Sequence, residues 1–148
     1  MATDTTTLKT SSWFEVFRSH GYYFHYAVVI TLIMGMYLHV THLFLDNELF
    51  LKHVFTPGFD MVLALPMTYA GIFGWLSWKK VDVHGRGRVL LTAGLCYFTL
   101  SIPLHIYTYV SQSTNYITLF PAWYSYFILL PMLLLTFFFS RLRFQRHD

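Results

Sequence analysis

The longest uncharged stretch of the chain limits what it can fold into more than any other feature. No Asp, Glu, Lys or Arg occurs from Val89 to Ser140, and two shorter tracts, Gly21–Leu45 and Met61–Trp78, also lack them. Charged residues make up 11% of the sequence, against about 25% in a typical soluble domain. The core of a small soluble domain cannot bury three such tracts, so they predict an integral membrane protein.

The lengths of these tracts predict four membrane crossings. The hydrocarbon core of a bilayer is about 30 Å thick and takes about 20 residues of α-helix. The first two tracts each fit one crossing, whereas the third is long enough for two and has a turn signal, Ser111–Asn115 followed by Pro121. The predicted crossings, all within a single domain of residues 1–148, are residues 23–45, 61–78, 89–110 and 122–139.

The basic residues indicate how the crossings are oriented. Nine of the ten Lys and Arg residues lie before the first crossing, between the second and third, or after the fourth, and only Lys52 does not. Because cytoplasmic segments of membrane proteins are enriched in Lys and Arg, both termini are predicted to be cytoplasmic. The expected fold is an all-α, four-helix membrane bundle. Ser12–Glu15 has a capping-box pattern, which predicts a short interfacial helix at about residues 12–20.

Ionisable side chains are concentrated on one face of the first predicted crossing. At 3.6 residues per turn, His25, His39, His42 and Asp46 fall on one stripe. The third crossing contributes His105, which lies at a depth similar to that of His39, near the outer face. Ionisable residues within a crossing are costly, face the protein interior and indicate a functional role.

A haem b is the first cofactor that these histidines suggest. Two opposed imidazoles can ligate its iron, and Gly35, one turn inward of His39, is small enough to leave room for a porphyrin. The fourteen-residue spacing of His25 and His39 resembles that of the cytochrome b family, in which paired histidines hold two haems stacked across the membrane. The resemblance covers one helix. It implies that His39 pairs with His105, and that an inner haem at His25 needs a ligand from another chain.

The same residues allow three other interpretations. His39, His42, Asp46 and His105 make a mixed nitrogen and oxygen set suited to copper, iron or zinc. A second interpretation is a quinol site, in which a histidine and an acid accept protons. The third is that no cofactor binds and the histidines form hydrogen bonds between helices.

Signatures of catalysis are absent from the sequence, and its short loops cannot hold a soluble catalytic domain. We therefore expect a small subunit of a larger respiratory or redox complex, either an electron-transfer or an accessory component of a membrane oxidoreductase. Other membrane subunits, lipid and quinone are the expected partners, and nucleic acid is not. A cofactor-free accessory subunit and a proton or small-solute pathway are the alternatives. The absence of a transit peptide favours a bacterial plasma (inner) membrane over the mitochondrial inner membrane.

Overall fold

Nearly all of the described chain is helical. A computed structural model describes residues 21–111, 121 and 123–144. Its five α-helices are α1 (Phe24–Phe44), α2 (Asn47–His53), α3 (Pro57–Ser77), α4 (Arg86–Ser111) and α5 (Tyr124–Ser140), with short 3-10 helices at Gly21–Tyr23 and Trp78–Lys80. The surface helix expected at residues 12–20 lies outside the described residues, as does most of the turn expected between the third and fourth crossings.

Three helical segments are long and apolar enough to cross a membrane. They are Phe24–Phe44, Pro57–Lys80 and Arg86–Tyr107, candidate crossings by length and composition that overlap the first three predicted spans. The fourth, α5, is apolar but has only 17 residues, at the lower end of the range of about 17–25 residues for a crossing helix. The four-crossing bundle and its orientation therefore stay predictions.

The start of α3 differs from the prediction. The helix begins at Pro57 rather than near Met61, because the hydroxyl of Thr56 caps its first turn and proline is favoured at the first helical position. Asp60, which the sequence places in a loop, is therefore part of the helix and is buried. The same predicted loop also contains the short helix α2, which Asp46 caps.

The long helices lie side by side in the order α5–α1–α3–α4, and contact between α4 and α5 is sparse. Each helix buries one stripe of side chains spaced three or four residues apart, such as Leu91, Leu95 and Phe98 of α4. A side chain at Gly74 of α3 would collide with Leu95. This glycine therefore permits the close approach of α3 and α4, as small residues commonly do between membrane helices.

A short backbone pairing joins the α3–α4 connection to the segment after α5. Val81 and Phe144 form an isolated antiparallel bridge, and the Asp82 amide donates to the Arg143 carbonyl oxygen at 2.8 Å. The guanidinium of Arg88 also donates to the Val81 carbonyl oxygen at 3.2 Å. We call the paired residues, 81–82 and 143–144, the backbone clip. It fastens the C-terminal end of α5 to the turn between α3 and α4.

Candidate functional site

An acid and a base form a buried pair where the start of α3 meets the end of α4. Oδ1 of Asp60 is hydrogen-bonded to Nδ1 of His105, and the side chains are 0% and 1% exposed. Asp60 lies on the same face of α3 as the buried Leu63 and Met67, so the packing that buries these apolar side chains also buries the carboxyl group. The local fold therefore removes an acid and a base from solvent together.

The pair shares a proton in either of two arrangements. With Asp60 ionised, the N–H of His105 donates to the carboxylate, and with Asp60 protonated, the carboxyl O–H donates to the imidazole. Oδ2 of Asp60 is buried and has no hydrogen-bond partner among the described residues. Because an unsatisfied buried oxygen costs free energy, this oxygen is an acceptor for a water molecule or a proton.

A second histidine is held at the same end of the packed helices. Nδ1 of His39 in α1 lies 2.9 Å from Oγ of Ser125 in α5, and this hydrogen bond is buried. The bond ties α1 to α5 and fixes one ring nitrogen of His39. The imidazole therefore has a defined orientation within the protein interior.

One small cavity brings the two histidines together. His39 and His105 both line a cavity of about 20 Å³ between the helices, which is large enough for about one water molecule. Thr31 and Tyr97 contribute polar side chains to the same wall. The histidines meet across this cavity even though α1 and α4 are not neighbours in the packing order.

The other predicted metal ligands, His42 and Asp46, make separate contacts. Nε2 of His42 is hydrogen-bonded to Oδ1 of Asn47 at 2.9 Å, and Nδ1 of His42 is buried without a hydrogen-bond partner in the described part of the chain. Asp46 is exposed and accepts a hydrogen bond from the first turn of α2. Within residues 21–111, 121 and 123–144, no three His, Cys, Asp or Glu side chains gather where they could hold a metal ion. The copper, iron or zinc set stays a prediction.

His25 lies at the opposite end of α1 from this cavity. Its ring packs against Tyr26 and Phe144, with centroid separations of 4.0 Å and 5.4 Å. A ligand role for His25 stays a prediction.

The packing around the cavity does not fit a porphyrin. Pockets for molecules of cofactor size have volumes of about 300 Å³ or more, whereas this cavity is about 20 Å³. Gly35, expected to leave room for the ring, is covered by the methyl end of Met132. Haem ligation by His39 and His105 therefore stays a prediction from the sequence, and we derive no chemistry from it.

A visible spectrum measures whether haem binds. The haem hypothesis predicts a Soret band in the purified protein that shifts with dithionite and disappears in His39→Ala and His105→Ala, because each variant removes an iron ligand. His53→Ala is the matched control, since His53 is exposed on α2. A colourless wild-type protein contradicts the hypothesis.

Sequence reasoning missed two members of this site, Asp60 and Ser125. The signal for Asp60 was the Thr56-Pro57 pair, a helix-start signature that would have moved the helix boundary and placed the acid on the inner face of α3. For Ser125 the sequence holds no comparable signal. A serine in an apolar helix commonly bonds to its own backbone, as Ser101 does to the carbonyl oxygen of Tyr97 at 2.6 Å.

Comparisons with protein-family models, curated protein sequences and solved structures give no match to this chain. Its function is therefore argued from the geometry of the site.

Proposed function

We propose that the chain is a membrane subunit of a larger redox complex in which Asp60 and His105 take up and release protons. One observation carries the proposal: Asp60 and His105 form a fully buried acid–base pair, and His105 lines a water-sized cavity together with a second histidine, His39. Ionisable side chains inside a membrane are costly and rare, and chains of Asp, Glu and His form proton relays there.

The chemistry uses the shared proton of the pair. A water molecule in the cavity would lie between His105 and His39 and would connect the two imidazoles by hydrogen bonds. A proton that leaves the pair reaches a second base without contact with lipid. His39 is held for this role by Ser125, whose hydroxyl engages Nδ1 of its ring.

The route from the cavity to water follows α1. His42 lies three residues after His39, so the two are neighbours on one face of the helix. The ring of His42 is hydrogen-bonded to Asn47, which is exposed at the start of α2. This succession of polar groups leads from the buried pair toward solvent at the same end of the molecule.

The distribution of basic residues supports a position for the site on the outer side. The α3–α4 connection and the residues after α5 lie at the end opposite to Asp60 and His105. These segments contain Lys79, Lys80, Arg141 and Arg143, and the adjoining first turn of α4 contains Arg86 and Arg88. With this basic end in the cytoplasm and α5 as the fourth crossing, the proton site faces the outer surface of a plasma membrane.

Membership of a complex is supported by what the chain exposes and what it lacks. Phe127, Leu130 and Phe137 of α5 are each more than half exposed, which leaves an apolar surface for lipid or for neighbouring subunits. The chain has no catalytic signature of its own, and redox complexes are a class of membrane assembly that consumes or releases protons. In this proposal the partner subunits carry the electrons.

Infrared difference spectroscopy in bilayers tests the proton site. We expect a carboxyl band that shifts on transfer to deuterated water, because the Asp60 proton exchanges through His105, which lines the cavity. The band should be lost in Asp60→Asn and retained in Glu48→Gln, a matched control in which the altered acid is exposed on α2.

The opposite outcome is equally clear. A band of Asp60 that does not shift in deuterated water shows a sealed pair, and would favour a structural accessory subunit. Separately, mild-detergent extracts of native membranes should contain the chain in a particle larger than the subunit itself. Recovery of the chain alone contradicts the subunit assignment.

A further inference from the structure

A long apolar groove runs along the exposed side of the contact between α4 and α5, which we call the α4–α5 seam. The two helices touch closely at Gly94, where a Cβ atom would lie 2.6 Å from Cε2 of Phe139. Beside this contact the helices diverge, leaving a groove of about 650 Å³ lined by Leu90 and Ala93 of α4 and by Leu134 and Phe137 of α5. Its volume lies within the range of about 300–1,000 Å³ that is typical of ligand pockets.

The groove has a single cationic end. Among its lining residues Arg141 alone is charged, and it directly follows the last turn of α5. The guanidinium carbon lies 3.9 Å from the centroid of the Phe137 ring, so a cation–π contact holds the cation at the mouth of the groove. Arg141 is exposed and forms no salt bridge within the described part of the chain. An apolar groove that ends in a cation held against an aromatic ring suits a ligand with a hydrocarbon tail and an anionic head.

The length of the groove matches one bilayer leaflet. Its lining on α5 extends from Pro131 to Arg141, ten residues apart, which is about 15 Å at the rise of an α-helix. The hydrocarbon part of a bilayer is about 30 Å thick, so one leaflet accounts for about 15 Å. An acyl chain that runs from the level of Arg141 to the middle of the bilayer is therefore about as long as the apolar lining of the groove.

We propose that this groove binds an anionic phospholipid, with one acyl chain along the α4–α5 seam and the phosphate at Arg141. Two further basic residues, Lys79 and Arg143, lie at the same end of the molecule and add to the attraction for an anionic headgroup. In the proposed orientation this end faces the cytoplasmic leaflet, where anionic lipids are abundant. The proposal does not depend on the proton site, which lies at the other end.

Native mass spectrometry of the delipidated protein tests this assignment. The probe is an equal mixture of phosphatidylglycerol and phosphatidylcholine with identical acyl chains, added to the protein in detergent. We expect the first bound lipid to be phosphatidylglycerol in the wild type. This preference should be lost in Arg141→Gln, which removes the headgroup contact, and lipid binding itself should weaken in Ala93→Phe, which fills the groove.

Two control variants make the result specific. Arg86→Gln removes a basic residue at the same end that does not line the groove, and Leu100→Phe enlarges an exposed apolar side chain of α4 elsewhere. Both should keep the preference of the wild type, and helix content by circular dichroism confirms that all four variants fold. Equal binding of the two lipids by the wild type, or equal losses in Arg86→Gln and Arg141→Gln, overturns the proposal. It is also overturned if Ala93→Phe binds normally, or if a second copy of the chain occupies the groove.

Discussion

Replacing Asp60 with alanine is expected to lower the free energy of unfolding by about 3–5 kcal/mol, since removal of one partner from a buried pair leaves the other unpaired in an apolar environment. The carboxyl group is fully buried and is hydrogen-bonded to His105. Equilibrium unfolding in mixed micelles measures the loss. Glu48→Ala is the matched control, because it removes an exposed acid from α2 and should change stability by less than about 0.5 kcal/mol.

A double variant separates stability from function. Replacing both Asp60 and His105 with leucine should recover most of the stability, because apolar side chains of similar size commonly substitute for a buried pair without loss. The same double variant should show no exchangeable carboxyl proton in the infrared experiment. If Asp60→Ala alone is as stable as the wild type, the pair is not packed as described.

Replacing Gly94 with valine should destabilise the protein by about 1–3 kcal/mol through overpacking. A Cβ atom at this position would lie 2.6 Å and 2.8 Å from two atoms of the Phe139 ring. That ring is fully buried and packs edge-on against Phe24 at a centroid distance of 6.4 Å, so it cannot move aside without disturbing the core. The measurement is again equilibrium unfolding in micelles.

Gly58→Ala is the glycine control for this prediction. Gly58 lies in the first turn of α3, and a Cβ atom there would meet nothing within 4 Å. Alanine should therefore be neutral or stabilising by up to about 1 kcal/mol. Combining Gly94→Val with Phe139→Leu should recover part of the loss, since the smaller side chain makes room for the new methyl groups. Equal effects of Gly94→Val and Gly58→Ala contradict the described seam.

The helices that are long and apolar enough to cross a membrane were predictable from the sequence, whereas the neighbours of each helix were not. Long uncharged tracts mark the spans because charge is costly in hydrocarbon. Helices in lipid, however, are apolar on the outer as well as the inner face, so periodicity does not indicate which helices meet. The exceptions are polar residues. His39 and His105 were placed at similar depth from the sequence, and the structure brings both to one cavity.

Asp60 shows why the rest of the site escaped prediction. A charge near the end of an apolar tract is ordinarily assigned to the adjoining loop, and only the capping geometry at Thr56 and Pro57 places this one inside α3. The bond between His39 and Ser125 depends on the rotation of α1 and α5 about their own axes. Rotation is fixed by packing of the whole molecule, which the short-range spacing of residues does not specify.

The backbone clip has a mechanical consequence for the seam between α4 and α5. Its β-bridge and the hydrogen bond from the Asp82 amide to the Arg143 carbonyl oxygen link the start of α4 to the end of α5. Contact between the two helices is otherwise sparse. The clip therefore fixes the position of Arg141, and with it the cationic end of the apolar groove, relative to the start of α4.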